Sequence, residues 1–318
     1  MYEKFYRLKR KPFALTPDPR FLYLSPQHAK ALATLEYAIL NDAGITLLTG
    51  EVGSGKTMLT RQLLENIDDA CEIGVLTNTQ REFKDVLPWV LRAFHQPVTG
   101  GEDSVATYER LIRFLEDTFE QGRRVVLLID EGQNLDADAL EELRLLSNLN
   151  IGSNMQLQLI VVGQPELVEM LEQPRLRAFA QRIAVEYQIE PLSFEQTSEY
   201  IGHRLKVAGA TFPIFNSLAM ATIYYHSRGI PRLINTICDL ALAFGFGEGR
   251  RVIGPQVIGD VVQSKMLSLH HLEEIPLTDE AHQLRDRTLR DAQFDIATFR
   301  DARSEERRVG KECPSPCR

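Results

Sequence analysis

Cysteine, tryptophan, long apolar runs and excess positive charge are all scarce in this chain, and each shortage excludes a class of protein. Four cysteines in 318 residues make no disulfide framework. Cys71 and Cys238 lie in apolar stretches where a free, buried thiol is expected. Cys313 and Cys317 belong to the end of the sequence, where RSEERRVGKEC reads as a non-native tail; residues 303–318 are therefore set aside from fold reasoning. The longest apolar runs, Val125 to Ile129 and Leu159 to Val162, are far shorter than the ~20 residues a membrane-spanning helix needs. The start, MYEKFYRLKRKPF, lacks the apolar centre of a signal peptide. A cytoplasmic location is expected, peripheral to the inner membrane at most through a partner. Lys and Arg number 36 against 44 Asp and Glu, a net charge of -8, which excludes a broadly basic nucleic-acid surface. A local basic patch is compatible with that sum, but nothing in the sequence supports nucleic acid as a partner. The seven histidines show no metal-ligand spacing, His270-His271 reads as an exposed pair, and no Ser-His-Asp or Cys-His arrangement is present.

What remains is an ordinary globular composition, 44% hydrophobic and 25% charged, with length for one large domain and a smaller one. Residues 1–43 read as an arm and a helix packing on the core: KPFALTPDPRFLYLS is rich in proline and aromatics without a period. Ser25-Pro26 then opens a helix with Leu32, Leu35 and Ile39 on one face. Residues 44–190 alternate strand and helix. Strands are expected at Ile45 to Thr49, Ile73 to Thr77, Val125 to Ile129, Leu157 to Val162 and Ile183 to Tyr187. Helices are expected at Lys56 to Ile67, Phe83 to Phe94 and Ala137 to Leu149, with another carrying Tyr108, Ile112, Leu115 and Phe119 on one face. Such alternation implies a parallel sheet covered on both sides. Residues 191–268 hold helical patterns only: one capped by Ser193, then Asn216 to His226, Pro231 to Phe244 and Pro255 to Leu267. Residues 269–302 are polar and read as a solvated helix or linker.

The chemistry begins at Gly50-Glu51-Val52-Gly53-Ser54-Gly55-Lys56-Thr57, a complete G-x-x-x-x-G-K-[ST] pattern set between a predicted strand and a predicted helix. Glycines let backbone N–H groups turn inward around phosphates, and the helix that continues through Met58 adds its dipole. Lys56 is placed to reach the β- and γ-phosphates, and the Thr57 hydroxyl to ligate Mg²⁺. A second apolar strand ends in Asp130-Glu131, where Asp130 can hold Mg²⁺ and Glu131 can polarise the attacking water. Gln164, ending the next strand, is the candidate sensor of the γ-phosphate. Gln133 and Asn134 compete for that role, and Gln164 could instead only cap the helix beginning at Pro165.

These motifs resemble the AAA+ ATPases, and among them the ExeA type of general-secretion-pathway ATPase. The resemblance runs from about Phe5 to Met266 and rests on KPFALTPDPRFLYLS, LLTGEVGSGKT, VVLLIDEGQNL, EELRLLSNLN, LQLIVVGQPEL, FAQRIAVEYQIEPLS and GIPRLINTICDLAL. It implies a five-stranded P-loop α/β core, a smaller all-helical lid, and a homo-oligomeric ring or filament with ATP and Mg²⁺ bound between neighbours. It also implies roles for single residues: Gln164 as sensor, Arg182 as a finger supplied to a neighbour with Arg177 as the alternative, Arg232 on the γ-phosphate from the lid, and Asn78 coupling a partner to Glu131. Where relatives usually read DEAQNL this chain has Gly132, a change expected to loosen the helix start behind Glu131. The membrane span and peptidoglycan-binding domain of the full secretion ATPase have no counterpart here. Stand-alone relatives accompany pilus and exopolysaccharide or exosortase loci, which makes an envelope-export protein the expected partner. More distant ones regulate transposition on DNA, the alternative reading.

Overall fold

Five short apolar runs separated by helical segments can be buried together only as a parallel sheet with helices on both faces. The computed structural model builds residues 17–191 that way; it describes residues 1–67, 70–77, 85–98, 103–151, 154–155 and 157–264. In chain order this unit holds α1 (Pro26–Leu40), β1 (Ile45–Gly50), α2 (Lys56–Asn66), β2 (Cys71–Leu76), α3 (Leu87–Ala93), α4 (Ser104–Glu120), β3 (Arg124–Ile129) and α5 (Ala137–Leu146). A two-stranded antiparallel pair follows, β4 (Asn150–Ile151) and β5 (Asn154–Met155), then β6 (Leu157–Gly163), α6 (Pro165–Leu171), α7 (Arg177–Ala180) and β7 (Ile183–Ile189). The small β4–β5 pair carries no apolar alternation and was not foreseen.

The main sheet is ordered β2-β3-β6-β1-β7 with every pair parallel. Alternate residues face opposite ways along a strand, so the sheet feeds two cores. Leu47, Leu127, Ile129 and Val161 pack with α3, α4, α5 and α6. Leu48, Val126, Ile160 and Val162 pack with Leu32 and Leu35 of α1 and Leu59 and Leu63 of α2. α1 starts where Ser25 and Pro26 predict, with the Ser25 side chain accepting from the His28 amide.

One helical face differs from its expected assignment. α4 buries Thr107, Leu111, Leu115 and Thr118 and leaves Tyr108 and Phe119 exposed. Tyr108 and Phe119 share an apolar stripe with Ile112, but the sheet takes the neighbouring stripe, which carries two threonines whose hydroxyls bond the carbonyls of Asp103 and Phe114. Cys71 is half-buried at the start of edge strand β2, while Cys238 is buried. Asn78, His270, His271, Cys313 and Cys317 lie outside the described residues.

The second unit comprises residues 1–16 together with the described residues from Leu192 to Ser264. Its helices are α8 (Phe194–Val207), α9 (Ser217–Ser227), α10 (Pro231–Gly247) and α11 (Pro255–Ser264). Ser193 and Gln196 form a reciprocal capping box on α8. Residues 1–16 belong to this unit, where the sequence reading grouped residues 1–43 as one arm and helix packing on the core. Their aromatics find partners among these helices: Phe5 meets Phe246 edge-on at 5.5 Å, and Tyr6 donates to the Arg250 carbonyl at 2.9 Å. The buried Arg204 guanidinium donates to the Pro12 carbonyl at 2.6 Å and to the Tyr200 hydroxyl at 2.7 Å.

Candidate nucleotide site

β1 delivers the chain to the carboxyl edge of the sheet, where it turns through residues 51–55 into α2. Gly50 is required by space: a Cβ there would lie 2.9 Å from the Ile189 carbonyl oxygen and 3.0 Å from Ser54 Oγ. Gly53 and Gly55 are required by conformation, at φ +82° and +107°, where side chains are disfavoured. Within the turn the Ser54 amide donates to the Glu51 carbonyl at 3.0 Å. Val52 projects half-exposed from the outside of the loop.

No side chain caps α2. The amides of Lys56 and Thr57 at its start, with the Thr57 side chain exposed and Met58 half-buried beside them, offer the N–H groups and dipole end that hold an anion. The buried Ser54 hydroxyl has no hydrogen-bond partner, a costly arrangement that an oxygen-rich ligand in the loop would relieve. Lys56 is buried and donates from Nζ to the carbonyls of Gly50 at 2.6 Å and Glu51 at 2.9 Å. Burial lowers its pKa, while the carboxylates of Glu131, Asp130, Glu51 and Glu166 pull the other way. An ammonium folded onto carbonyls in this way exchanges them for phosphate oxygens with little loss of bonding.

The acidic pair reaches the same edge through strand register. Ile129 of β3 pairs with Val161 of β6, which pairs with Leu47 of β1. β6 therefore lies between the strand that ends in the loop and the strand that ends in Asp130. The residue following it, Gln164, necessarily emerges between the two. Burial raises the Asp130 carboxyl pKa, opposed by the Glu131 amide, which donates to Oδ1 at 2.9 Å. Mg²⁺ is held by one or two carboxylates plus substrate phosphates rather than by an all-protein cage. The donor types required, a carboxylate at Asp130 and a hydroxyl at Thr57, are present.

Glu131 occupies the left-handed region at φ 58°, ψ 40°. This backbone is uncommon for a residue with a side chain and is held only where surroundings enforce it. Its carboxylate is held by two glutamines. Gln164 donates from Nε2 to Glu131 Oε2 at 3.2 Å, and Gln133 Nε2 donates to the same oxygen. The Gln164 amide donates to Gln133 Oε1 at 3.0 Å, which fixes the orientation of the Gln133 amide. Gln164 stands at the N-cap position of α6, but its side chain makes no cap bond. Gln164 and Gln133, weighed as rivals for one role, therefore act on one carboxylate together. Gly132 opens a formed 3-10 turn over residues 132–134, with the Leu135 amide on its carbonyl at 3.1 Å.

The arginines are distributed differently. Ile183 pairs with Ile45 at the start of β1, so Arg182 lies at the amino edge of the sheet. The steps from Ile45 to Gly50 at ~3.3 Å each separate it from its own loop by roughly 16 Å along the strands. Arg177 opens α7 at the same edge. Arg232 stands exposed in the first turn of α10, in the helical unit. Lys56, Asp130, Glu131 and Gln164 are thus brought together, Arg182 is kept away from the loop of its own chain, and Arg232 belongs to the other unit.

One residue at the site has no sequence signature. His28, buried in the first turn of α1, contacts the Ser54 carbonyl through Nε2 at 2.9 Å. Its only mark in the sequence is a place three residues after the helix cap, where many side chains serve.

A phosphate loop and an acidic strand end, flanking a third strand that ends in a polar side chain, define the class: the fold is that of the AAA+ P-loop proteins. A family model described as "AAA domain" matches residues 39–171. The particular relative is more specific. The chain is 41% identical over 261 residues to General secretion pathway protein A of Aeromonas hydrophila, a match covering 82% of this chain and 47% of that protein. The chain thus spans about half the length of the curated relative it matches. In fold it is similar to the Aeropyrum pernix ORC2 protein in its ADPNP-ADP complexes (TM-score 0.59, 15% identity, 80% of this chain and 71% of that one). It is likewise similar to Cdc6p of Pyrobaculum aerophilum (TM-score 0.59, 19% identity, 78% and 71%).

Proposed function

We propose that the chain is a Mg²⁺-dependent ATPase that works as a homo-oligomer to assemble or remodel a cell-envelope secretion, pilus or polysaccharide-export system. The observation that carries the hydrolytic part is the Glu131 carboxylate held by Gln164 and Gln133 beside Asp130 and Lys56. A nucleotide-binding switch without turnover has no need of a carboxylate oriented this closely. In this reading the loop amides and Lys56 bind the β- and γ-phosphates, and Glu131 orients and polarises a water for in-line attack. Gln164 and Gln133 keep its carboxylate aimed, and Gln164 can exchange its bond to Glu131 for one to the γ-phosphate. Bound Mg²⁺, held by Asp130 and Thr57, would neutralise charge on the β- and γ-oxygens. No helix among the described residues is long and apolar enough to cross a membrane. The envelope role is therefore assigned to a partner, by similarity to General secretion pathway protein A.

The test is oligomer mass under ADP and ATP, using Glu131→Gln to trap the ATP state, with and without duplex DNA. ATP-dependent assembly indifferent to DNA is expected. Assembly that requires duplex DNA would replace the export role with regulation of transposition.

A further inference from the structure

A phosphate loop works only if its amides, and not its carbonyls, face the anion. The peptide between Ser54 and Gly55 is the vulnerable one, because Ser54 sits between two glycines with little steric restraint, Gly53 and Gly55, both at positive φ. In a trans peptide the C=O and the N–H lie in one plane and point in opposite directions. Whatever holds the Ser54 carbonyl on the outside of the loop therefore turns the Gly55 N–H to the inside. Three neighbouring carbonyls, those of Gly50, Glu51 and Gly55, are held within the turn and the helix it opens. Gly50 and Glu51 are held by Lys56 Nζ, and Gly55 accepts from the amides of Met58 and Leu59, each at 3.0 Å. The Ser54 carbonyl is held from outside the loop, by His28.

The roles in that contact follow from the chemistry. A carbonyl only accepts, so Nε2 carries the proton. The Ser25 hydroxyl lies 2.7 Å from Nδ1 and donates to it, which selects the neutral Nε2–H tautomer. Burial of the ring lowers its pKa, with the bond to Ser54 opposing, and keeps it neutral near pH 7. The imidazole sits on a rigid mount. Gln27 beside it donates to the Glu190 carbonyl at 2.7 Å, and Tyr187 of β7 donates to the Gln27 carbonyl at 3.1 Å. A Cβ on Gly55 would lie 3.0 Å from Nε2, so the ring and the loop are fitted to each other.

We propose that His28 is a positioning residue of the phosphate loop, its Nε2–H pinning the Ser54 carbonyl outward so that the Gly55 amide is presented to the phosphates. This rests on the loop being the ATP site. His28→Phe keeps the ring and removes the donor. In His28→Gln the side-chain amide stands at nearly the distance of Nε2 from the backbone and restores the donor. ATP and inorganic tripolyphosphate binding are measured by calorimetry on the wild type and both variants, with thermal midpoints. His28→Phe is expected to weaken both ligands about tenfold, as for loss of one buried hydrogen bond, and His28→Gln to recover most of that loss. Binding by His28→Phe within twofold of the wild type overturns the inference. Equal losses in both variants also overturn it, since the ring and not its donor would then matter. A wild type that binds neither ligand refutes the ATP site itself. The ring tautomer, read by ¹⁵N NMR on the wild type, gives a test that survives misfolding of His28→Phe: neutral Nε2–H is expected, and Nδ1–H contradicts the proposal.

Discussion

Arg182 stands roughly 16 Å along the strands from the loop of its own chain, at the opposite edge of the sheet. If it acts on a γ-phosphate, it acts on a neighbour's. That geometry makes a quantitative prediction for mixed oligomers. Arg182→Ala should bind ATP normally and lose turnover by about 10³-fold or more, the usual cost of a missing finger. Glu131→Gln should bind ATP and lose about 10²- to 10⁴-fold. Mixed in equal amounts and reassembled, the two inactive proteins form some interfaces with an intact Glu131 on one side and an intact Arg182 on the other. For random mixing in a head-to-tail assembly these are about one quarter of the total. Steady-state phosphate release from the mixture should therefore return to about one quarter of the wild-type rate, while each variant alone stays near background. A mixture no more active than its components would refute action in trans by Arg182. Full turnover by Arg182→Ala alone would move the finger to Arg177 or Arg175.

Other consequences concern the loop, the glutamine clamp and His28. Gly50→Ala places a Cβ 2.9 Å from the Ile189 carbonyl oxygen, an overpacking worth about 1–3 kcal/mol. A lower melting temperature by calorimetry and at least tenfold weaker ATP binding are expected, and unchanged values of both would contradict the packing. Gln133→Leu removes one donor from Glu131 and leaves the Gln164 amide without its acceptor. Losing a bond to a charged group costs about 1.5–3 kcal/mol. Turnover should drop by about 10- to 100-fold with the ATP dissociation constant unchanged; a binding defect of the same size would mean the clamp supports the loop instead. Burial lowers the folded-state pKa of His28. Its contribution to stability is then complete above the unfolded value of about 6.5 and is lost as pH falls through the folded value, because the unfolded chain takes up the proton first. The melting temperature should drop more steeply from neutral to mildly acidic pH in the wild type than in His28→Gln. His226, shifted the same way by burial and Arg228, is common to both proteins and cancels.

The parts of this architecture that could be read in advance are those in which local pattern and tertiary role coincide. Apolar runs such as Val125 to Ile129 admit one environment, and a glycine loop between strand and helix admits one use. Helix starts at Ser25, Ser193 and Asn216 were legible because the cap is chemistry of the residue itself. The face of α4 was not, since the Tyr108 stripe looks more apolar than the Thr107 and Thr118 stripe that is buried. The location of residues 1–16 was hidden for a different reason: aromatics announce burial without naming the partner. Within the site, Lys56 and Asp130 were readable from motif. The joint grip of Gln133 and Gln164 on Glu131, and that of His28 on Ser54, depend on strand order and on a helical residue 26 positions before Ser54, which spacing does not encode.

The role proposed for Glu131, aimed by its glutamines, is to turn a bound triphosphate into a hydrolysed one. It is tested most directly by measuring ATP affinity and single-turnover hydrolysis in Mg²⁺ for the wild type and for Glu131→Gln. Matching affinities are expected, with hydrolysis by the wild type and a variant slower by at least about 10² that holds ATP unhydrolysed. Equal hydrolysis by both proteins, or a wild type that binds ATP without ever cleaving it, would contradict the claim.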